Sequence, residues 1–144
     1  MWRHGARAAL VYGSAMATWD DVRRIALALP EMTERSTHEV PQWRVKEKLI
    51  AWERPLRRAD DEALGDAAPD GPILGVWVPD LGIKEVLLSD DPDVYFTTPH
   101  FDGYPSILIR LDRIDPPELE ELMIEAWLDQ APKRLVSKYL ETAG

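Results

Sequence analysis

The sequence predicts an α+β protein with two layers: a mostly antiparallel, five-stranded sheet with helices on one face, in the order α-β(3)-α-β(2)-α-α. Three observations lead there. Apolar residues recur at helical spacing near both ends of the chain. Through the middle they alternate at period two. The links between the middle segments are too short for parallel crossovers, so the strands run back and forth and the helices pack over them.

The first helix starts at Thr18, whose hydroxyl is placed to cap, with Asp20 and Asp21 in the first turn. Val22, Ile25, Ala26 and Leu29 then share one face, and Pro30 ends the helix. From Gln42 the period is two: Trp43 and Val45 point inward, Arg44 and Lys46 outward. Glu47 and Lys48 make a tight connection to a return strand, Leu49 to Trp52. Residues 54–71, rich in Asp, Ala and Pro, read as a long acidic loop, a length usually associated with function or mobility. Ile73 to Val78 is a third strand, and Ile83 to Leu88 a short helix that buries Val86 and Leu87. Val94 to Thr97 and Ile107 to Leu111 complete the sheet. Asp115 caps a long helix with prolines in its first turn and Glu118 at the capping-box position. Leu119, Leu122, Met123, Ala126 and Trp127 form its buried stripe. A last helix starts at Pro132 and carries Leu135, Val136, Tyr139 and Leu140.

At 144 residues the chain is sized for one domain with a proper core. Residues 16–144 are read as that domain. Residues 1–15 are read as a flexible extension, because the apolar run Ala8 to Tyr12 is too short for the core of a signal peptide. No stretch approaches the length of a membrane span. Cysteine is absent, which excludes disulfides and thiolate metal sites and favours the cytoplasm. The net charge of −9 opposes nonspecific attraction to nucleic acid or anionic lipid. Its distribution is uneven: residues 42–58 hold six basic groups against two acids, so that segment is +4 and the remainder −13.

Several stretches together resemble the MmcQ/YjbR family: WDDVRRIALALP from Trp19 to Pro30, WRVK from Trp43 to Lys46, and DPDVYFTTPHFDGYP from Asp91 to Pro105. EAW at Glu125 to Trp127 and APKRL at Ala131 to Leu135 complete the pattern. The resemblance covers roughly Thr18 to Tyr139. It implies a fold similar to secretion chaperones, α-β(3)-α-β(2)-α, and a DNA-binding role in which two β-hairpins act as wings. The acidic insertion around Asp60 to Asp70 departs from the family pattern beside the first wing.

Three groups of residues carry candidate chemistry. On the first hairpin, Arg44, Lys46 and Lys48, with Arg57 and Arg58 nearby, are placed to contact the phosphates of double-stranded DNA. The plainer reading is a solvated strand face neutralised by Asp60, Asp61, Glu62, Asp66 and Asp70. In the second group, His100, Asp102 and Tyr104 concentrate polar groups in one loop, the minimal form of an acid–base pair. Against that, Pro99 and Pro105 stiffen a turn, Gly103 supplies a positive φ, and the polar groups bond to loop backbone. Third, Lys133 and Arg134 sit in the first turn of a helix, where the macrodipole is already positive. They call for an anion, either bound or supplied by Glu120, Glu121, Glu125 or Asp129. No nucleophile motif, phosphate loop, cofactor signature or metal-ligand spacing is present, and His38 and His100 do not make one. The tryptophans are expected to be packing residues. The expected function is therefore binding without catalysis, with DNA as partner, and a protein-interaction module as the alternative.

Overall fold

The structure, a computed structural model, describes residues 16–37 and 39–143; the extension expected over residues 1–15 and His38 lie outside them. The elements are α1 (Trp19–Leu27), β1 (Met32–Thr37), β2 (Val40–Val45), β3 (Lys48–Glu53), α2 (Arg58–Leu64), β4 (Ile73–Trp77), α3 (Leu81–Asp90), β5 (Tyr95–Phe96), β6 (Ser106–Arg110), α4 (Pro116–Gln130) and α5 (Lys133–Ala143). The strands form one antiparallel sheet in the order β1-β2-β3-β4-β6-β5.

The expected helix starts are present. Thr18 Oγ1 accepts from the Asp21 N–H, and the Asp21 carboxylate accepts from the Thr18 N–H at 2.9 Å, which satisfies donors a helix start leaves orphaned. Asp115 accepts from the Glu118 N–H at 2.8 Å behind two prolines. Val22, Ile25 and Leu29 of the α1 stripe and Leu119, Leu122, Met123 and Trp127 of α4 are buried together against Trp43, Val45, Leu74 and Val76 of the sheet. Trp127 closes that core by donating its indole N–H to the Pro30 carbonyl at 3.1 Å.

Three expectations are corrected. The sheet has six strands rather than five, because Met32–Thr37 is an edge strand paired to β2. Its sequence, MTERST, holds a single buried apolar residue, Met32, so it lacks the alternation that announces a half-buried strand. The order also differs: residues 54–71 are not all loop but contain α2, so a helix separates β3 from β4, while α3 follows β4 as expected. That helix has no apolar stripe. It is held by Asp60, which accepts from the Arg57 N–H at 2.9 Å, and by Leu64.

The third correction concerns the faces of the sheet. Helices are not confined to one side: α2 and the 3-10 turn Pro99–Phe101 cover part of the opposite face over a small core of Ile73, Phe96 and Leu108. Within α3, Leu87 is buried as expected but Val86 is exposed. Leu140 of α5 is also exposed, while Leu135 is buried.

Candidate nucleic-acid interface

The hairpin joining β2 and β3 turns at Lys46 and Glu47, one residue earlier than the sequence suggests, and Val45 pairs directly with Lys48. Both turn residues have positive φ, +47° for Lys46 and +72° for Glu47. Such a two-residue loop matches the twist of the flanking strands, but normally recruits Asn and Gly. Two ion pairs flank it, Lys46 with Glu31 and Glu47 with Arg35. The Arg35 and Lys46 partners hold the Glu47 and Glu31 carboxyls below their ordinary pKa.

The three hairpin cations do not share one outer face. Arg44 lies on the side of Gln42, giving its Nη2 to Gln42 Oε1 at 2.9 Å and its Nη1 to the Glu47 carbonyl at 3.0 Å. Lys46 and Lys48 instead meet the start of α5. With Lys133, Leu128, Asp129 and Val136 they line an open cleft of ≈ 700 Å³. Two groups that are 85 residues apart in the chain, Lys48 and Lys133, are thus brought to one place. Arg134 is satisfied within the protein, and not by the acids of α4 expected for it: Glu31 lies 3.8 Å from it and also pairs with Lys46. Lys48 and Lys133 make no ion pair among the described residues.

Arg57 and Arg58 go elsewhere. Arg58 is exposed and lies 3.3 Å from Glu62, one turn along α2. Arg57 stands at the rim of a second cavity, ≈ 570 Å³, on the sheet face opposite the main core. Trp52, Trp77, Phe101, His100 and Gln42 line it. The placement of Trp52 follows from a bulge: the β2–β3 register shifts between Trp43 and Arg44, so that Ile50 and Ala51 both turn into the main core. Trp52 is thereby moved to the other face, opposite Gly75. Trp52 is buried, as expected of a packing residue, but on the far face and outside both hydrophobic clusters; Trp77 is only half-buried and also lies outside them. Below them, Arg54 and Asp60 form a buried pair with Nη2 and Oδ2 3.0 Å apart, and the Arg54 guanidinium lies 5.2 Å from the Phe101 ring centre.

The His100–Tyr104 loop is tied down from α3. Lys84, 5% exposed, donates from Nζ to the carbonyls of Phe101 and Tyr104 at 2.8 and 2.9 Å. Burial lowers the Lys84 pKa, against the pull of the Asp102 charge. His100 stands edge-on to Phe101 at 4.8 Å, exposed and toward the second cavity, whereas Asp102 faces Lys84 in a smaller hollow beside α3. No hydrogen bond joins His100 to Asp102 among the described residues, so the loop does not assemble the acid–base pair. Gly103 has the expected positive φ, +81°. Tyr104 projects outward, 55% exposed. Among the described residues no group of three or more His, Asp or Glu is arranged to hold a metal ion, and no helix is long and apolar enough to cross a membrane.

Trp52, Trp77, Gly75 and Lys84 were not among the sequence candidates. For Gly75 a weak signal existed, since a glycine inside an apolar strand marks a close approach. For Trp52 there was none, because a bulge is invisible in the alternation it breaks.

These features define an α+β protein built on one antiparallel sheet, with a lysine cleft at a hairpin tip and an aromatic cavity on the far face. The chain belongs to the YjbR family, whose profile matches residues 27–129. It is 56% identical over 132 residues to the uncharacterized proteins Mb2600 of Mycobacterium bovis and Rv2570 of Mycobacterium tuberculosis, an alignment covering 90% of this chain and all of theirs. The crystal structure of the Deinococcus radiodurans protein DR2400, with a DUF419 domain, is similar in fold, with a TM-score of 0.62 at 20% identity over 88% of this chain and 89% of that one.

Proposed function

We propose that this protein acts by binding rather than catalysis, and that its ligand is duplex DNA held through phosphates by Lys46, Lys48 and Lys133. Residues 16–144 act as one domain in this reading, in the cytoplasm. The observation that carries it is the cleft itself. In a chain of net charge −9, two lysines that make no ion pair among the described residues and a third shared with Glu31 converge beside the first turn of α5. Backbone N–H groups there add to the attraction for an anion. A hairpin tip is also narrow enough to enter a DNA groove. Asp129 on the cleft wall works against this, and the acidic remainder of the molecule keeps affinity low.

Titration of a labelled duplex at about 50 mM salt tests the reading. Binding that weakens in both Lys48→Ala and Lys133→Ala is the expected result. Absence of binding, or variants that bind like the parent, would remove DNA as the ligand.

A protein-interaction module is the second reading, favoured by the apolar side chains exposed around α3. Leu81, Val86 and Tyr104 are each close to half exposed. Capture of a protein partner that Leu81→Ser and Tyr104→Ser abolish, while the lysine variants retain it, would decide for this reading.

A further inference from the structure

The cavity on the far sheet face has a composition that neither packing nor the lysine cleft accounts for. Its floor is the Trp52 indole, which lies against β4 only because residue 75 is glycine: a Cβ there would come within 2.3 Å of Trp52 Cε2. Trp77 and Phe101 flank that floor, with ring centres 6.0 and 6.2 Å from it. Both are partly exposed, and His100 is exposed at the edge of Phe101. The cavity volume of ≈ 570 Å³ falls in the range of about 300–1,000 Å³ common to ligand pockets.

The rim supplies charge. Arg57 is exposed and makes no ion pair among the described residues. Arg44 reaches the same side of the sheet through Gln42. One carboxylate, Glu53, opposes them. Arg54 is not available to a ligand, because Asp60 and the Pro55 carbonyl occupy it. A partner for this surface therefore needs a flat ring to lie against indole and phenyl groups, and a negative charge within reach of the guanidinium of Arg57. An extended peptide fits poorly, since β3 and β4 are interior strands whose ladders are complete on both sides. A nucleobase needs no such edge, only a π surface, and stacking of that kind is open to any base that is not paired.

We propose that this cavity binds an unpaired nucleotide, its base against Trp77 and Phe101 and its phosphate on Arg57 and His100. The site lies across the sheet from the lysine cleft and does not depend on duplex binding there. Its ligand comes from single-stranded nucleic acid or from a free nucleotide, which share this chemistry.

Fluorescence anisotropy of a labelled oligothymidylate tests the proposal, with unlabelled thymidine monophosphate and a duplex of the same length as competitors. The single strand should bind, Trp77→Ala should weaken it roughly ten-fold, and Arg57→Ala should make its salt slope shallower by about one phosphate equivalent. Lys133→Ala should leave it unchanged. Competition by the mononucleotide at similar concentration assigns the site to free nucleotides, and competition by the strand alone assigns it to single strands. Should Trp77→Ala fail to fold, Arg57→Ala and His100→Ala carry the test, because both side chains are exposed. No binding by strand or mononucleotide, or binding unaltered in folded Arg57→Ala and His100→Ala, overturns the proposal. Loss of duplex binding with the single strand still bound would sink the lysine-cleft reading alone.

Discussion

Asp60 illustrates how one side chain in an apparently acidic loop becomes structural. Its carboxylate lies 3% exposed against Arg54, and it accepts from the Arg57 N–H that opens α2. Burial pushes its pKa upward, but the Arg57 N–H and the Arg54 charge outweigh that and hold the group below the ordinary carboxylate value. The sign follows from proton binding. The unfolded chain takes up the proton near pH 3.9, the folded one only at lower pH, so the contribution is complete above the unfolded pKa and is lost as pH falls through the folded one. Asp60→Asn removes that contribution and also strands the Arg54 guanidinium, which is 6% exposed. A loss of about 3 kcal/mol at neutral pH is expected, the magnitude typical of a broken buried pair. The acid limb of the stability profile should be shallower too, though not flat, since Asp21, Glu31, Glu34 and Glu47 are also held low. Urea denaturation at a series of pH values measures both effects, and a variant as stable as its parent would deny the pair its role.

At the scale of elements, α3 serves the 99–104 loop through Lys84. Its ammonium, depressed in pKa by burial, destabilises the fold at neutral pH relative to a neutral group, and that cost fades as pH rises toward the unfolded value of about 10.4. What it gives in return is a second donor to two carbonyls that already accept from the Tyr104 and Ser106 N–H groups, which clamps the loop onto α3. Lys84→Met trades one for the other. Net destabilisation of about 1–3 kcal/mol is expected, with faster amide exchange at Tyr104 and Ser106, whose N–H groups bond to the carbonyls that Lys84 fixes. Unchanged exchange would show that the turn holds itself. The sequence made the loop legible as a stiff turn but concealed its anchor, since Lys84 lies 17 residues from Phe101 in a helix of ordinary composition. The same contrast runs through the fold. Elements that bury a regular stripe, α1, β2 and α4, could be read from period and caps alone. Those that do not were missed: β1 is an edge strand, α2 is held by one carboxylate and one leucine, and the bulge at Ile50 reverses the side on which Trp52 appears. For the candidate sites, residue type was legible but company was not. Lys48 and Lys133 meet only through packing of α5, and Arg44, Lys46 and Lys48 separate because the hairpin turns at Lys46.

For the whole molecule, the division of charge decides how any DNA contact must behave. The +4 segment of residues 42–58 does not form a continuous basic stripe: Lys46 and Lys48 go to the α5 cleft, Arg57 to the far face, and Arg54 is neutralised internally. Three lysines at the cleft set a ceiling of about three phosphate contacts, hence a salt slope no steeper than about −2.7 and at most a roughly 40-fold loss of affinity between 50 and 200 mM salt. The acidic remainder repels DNA, and salt screens repulsion as well as attraction, so the measured slope should be shallower than that ceiling. The difference between two proteins is free of this background. Lys48→Ala removes one phosphate contact and leaves the acidic field almost unchanged, so its slope should be shallower than the parent's by about 0.9. Parallel titrations of parent and variant against one duplex give that difference directly. Equal slopes would mean that Lys48 meets no phosphate, and would separate the lysine cleft from nucleic acid whatever the affinity at low salt.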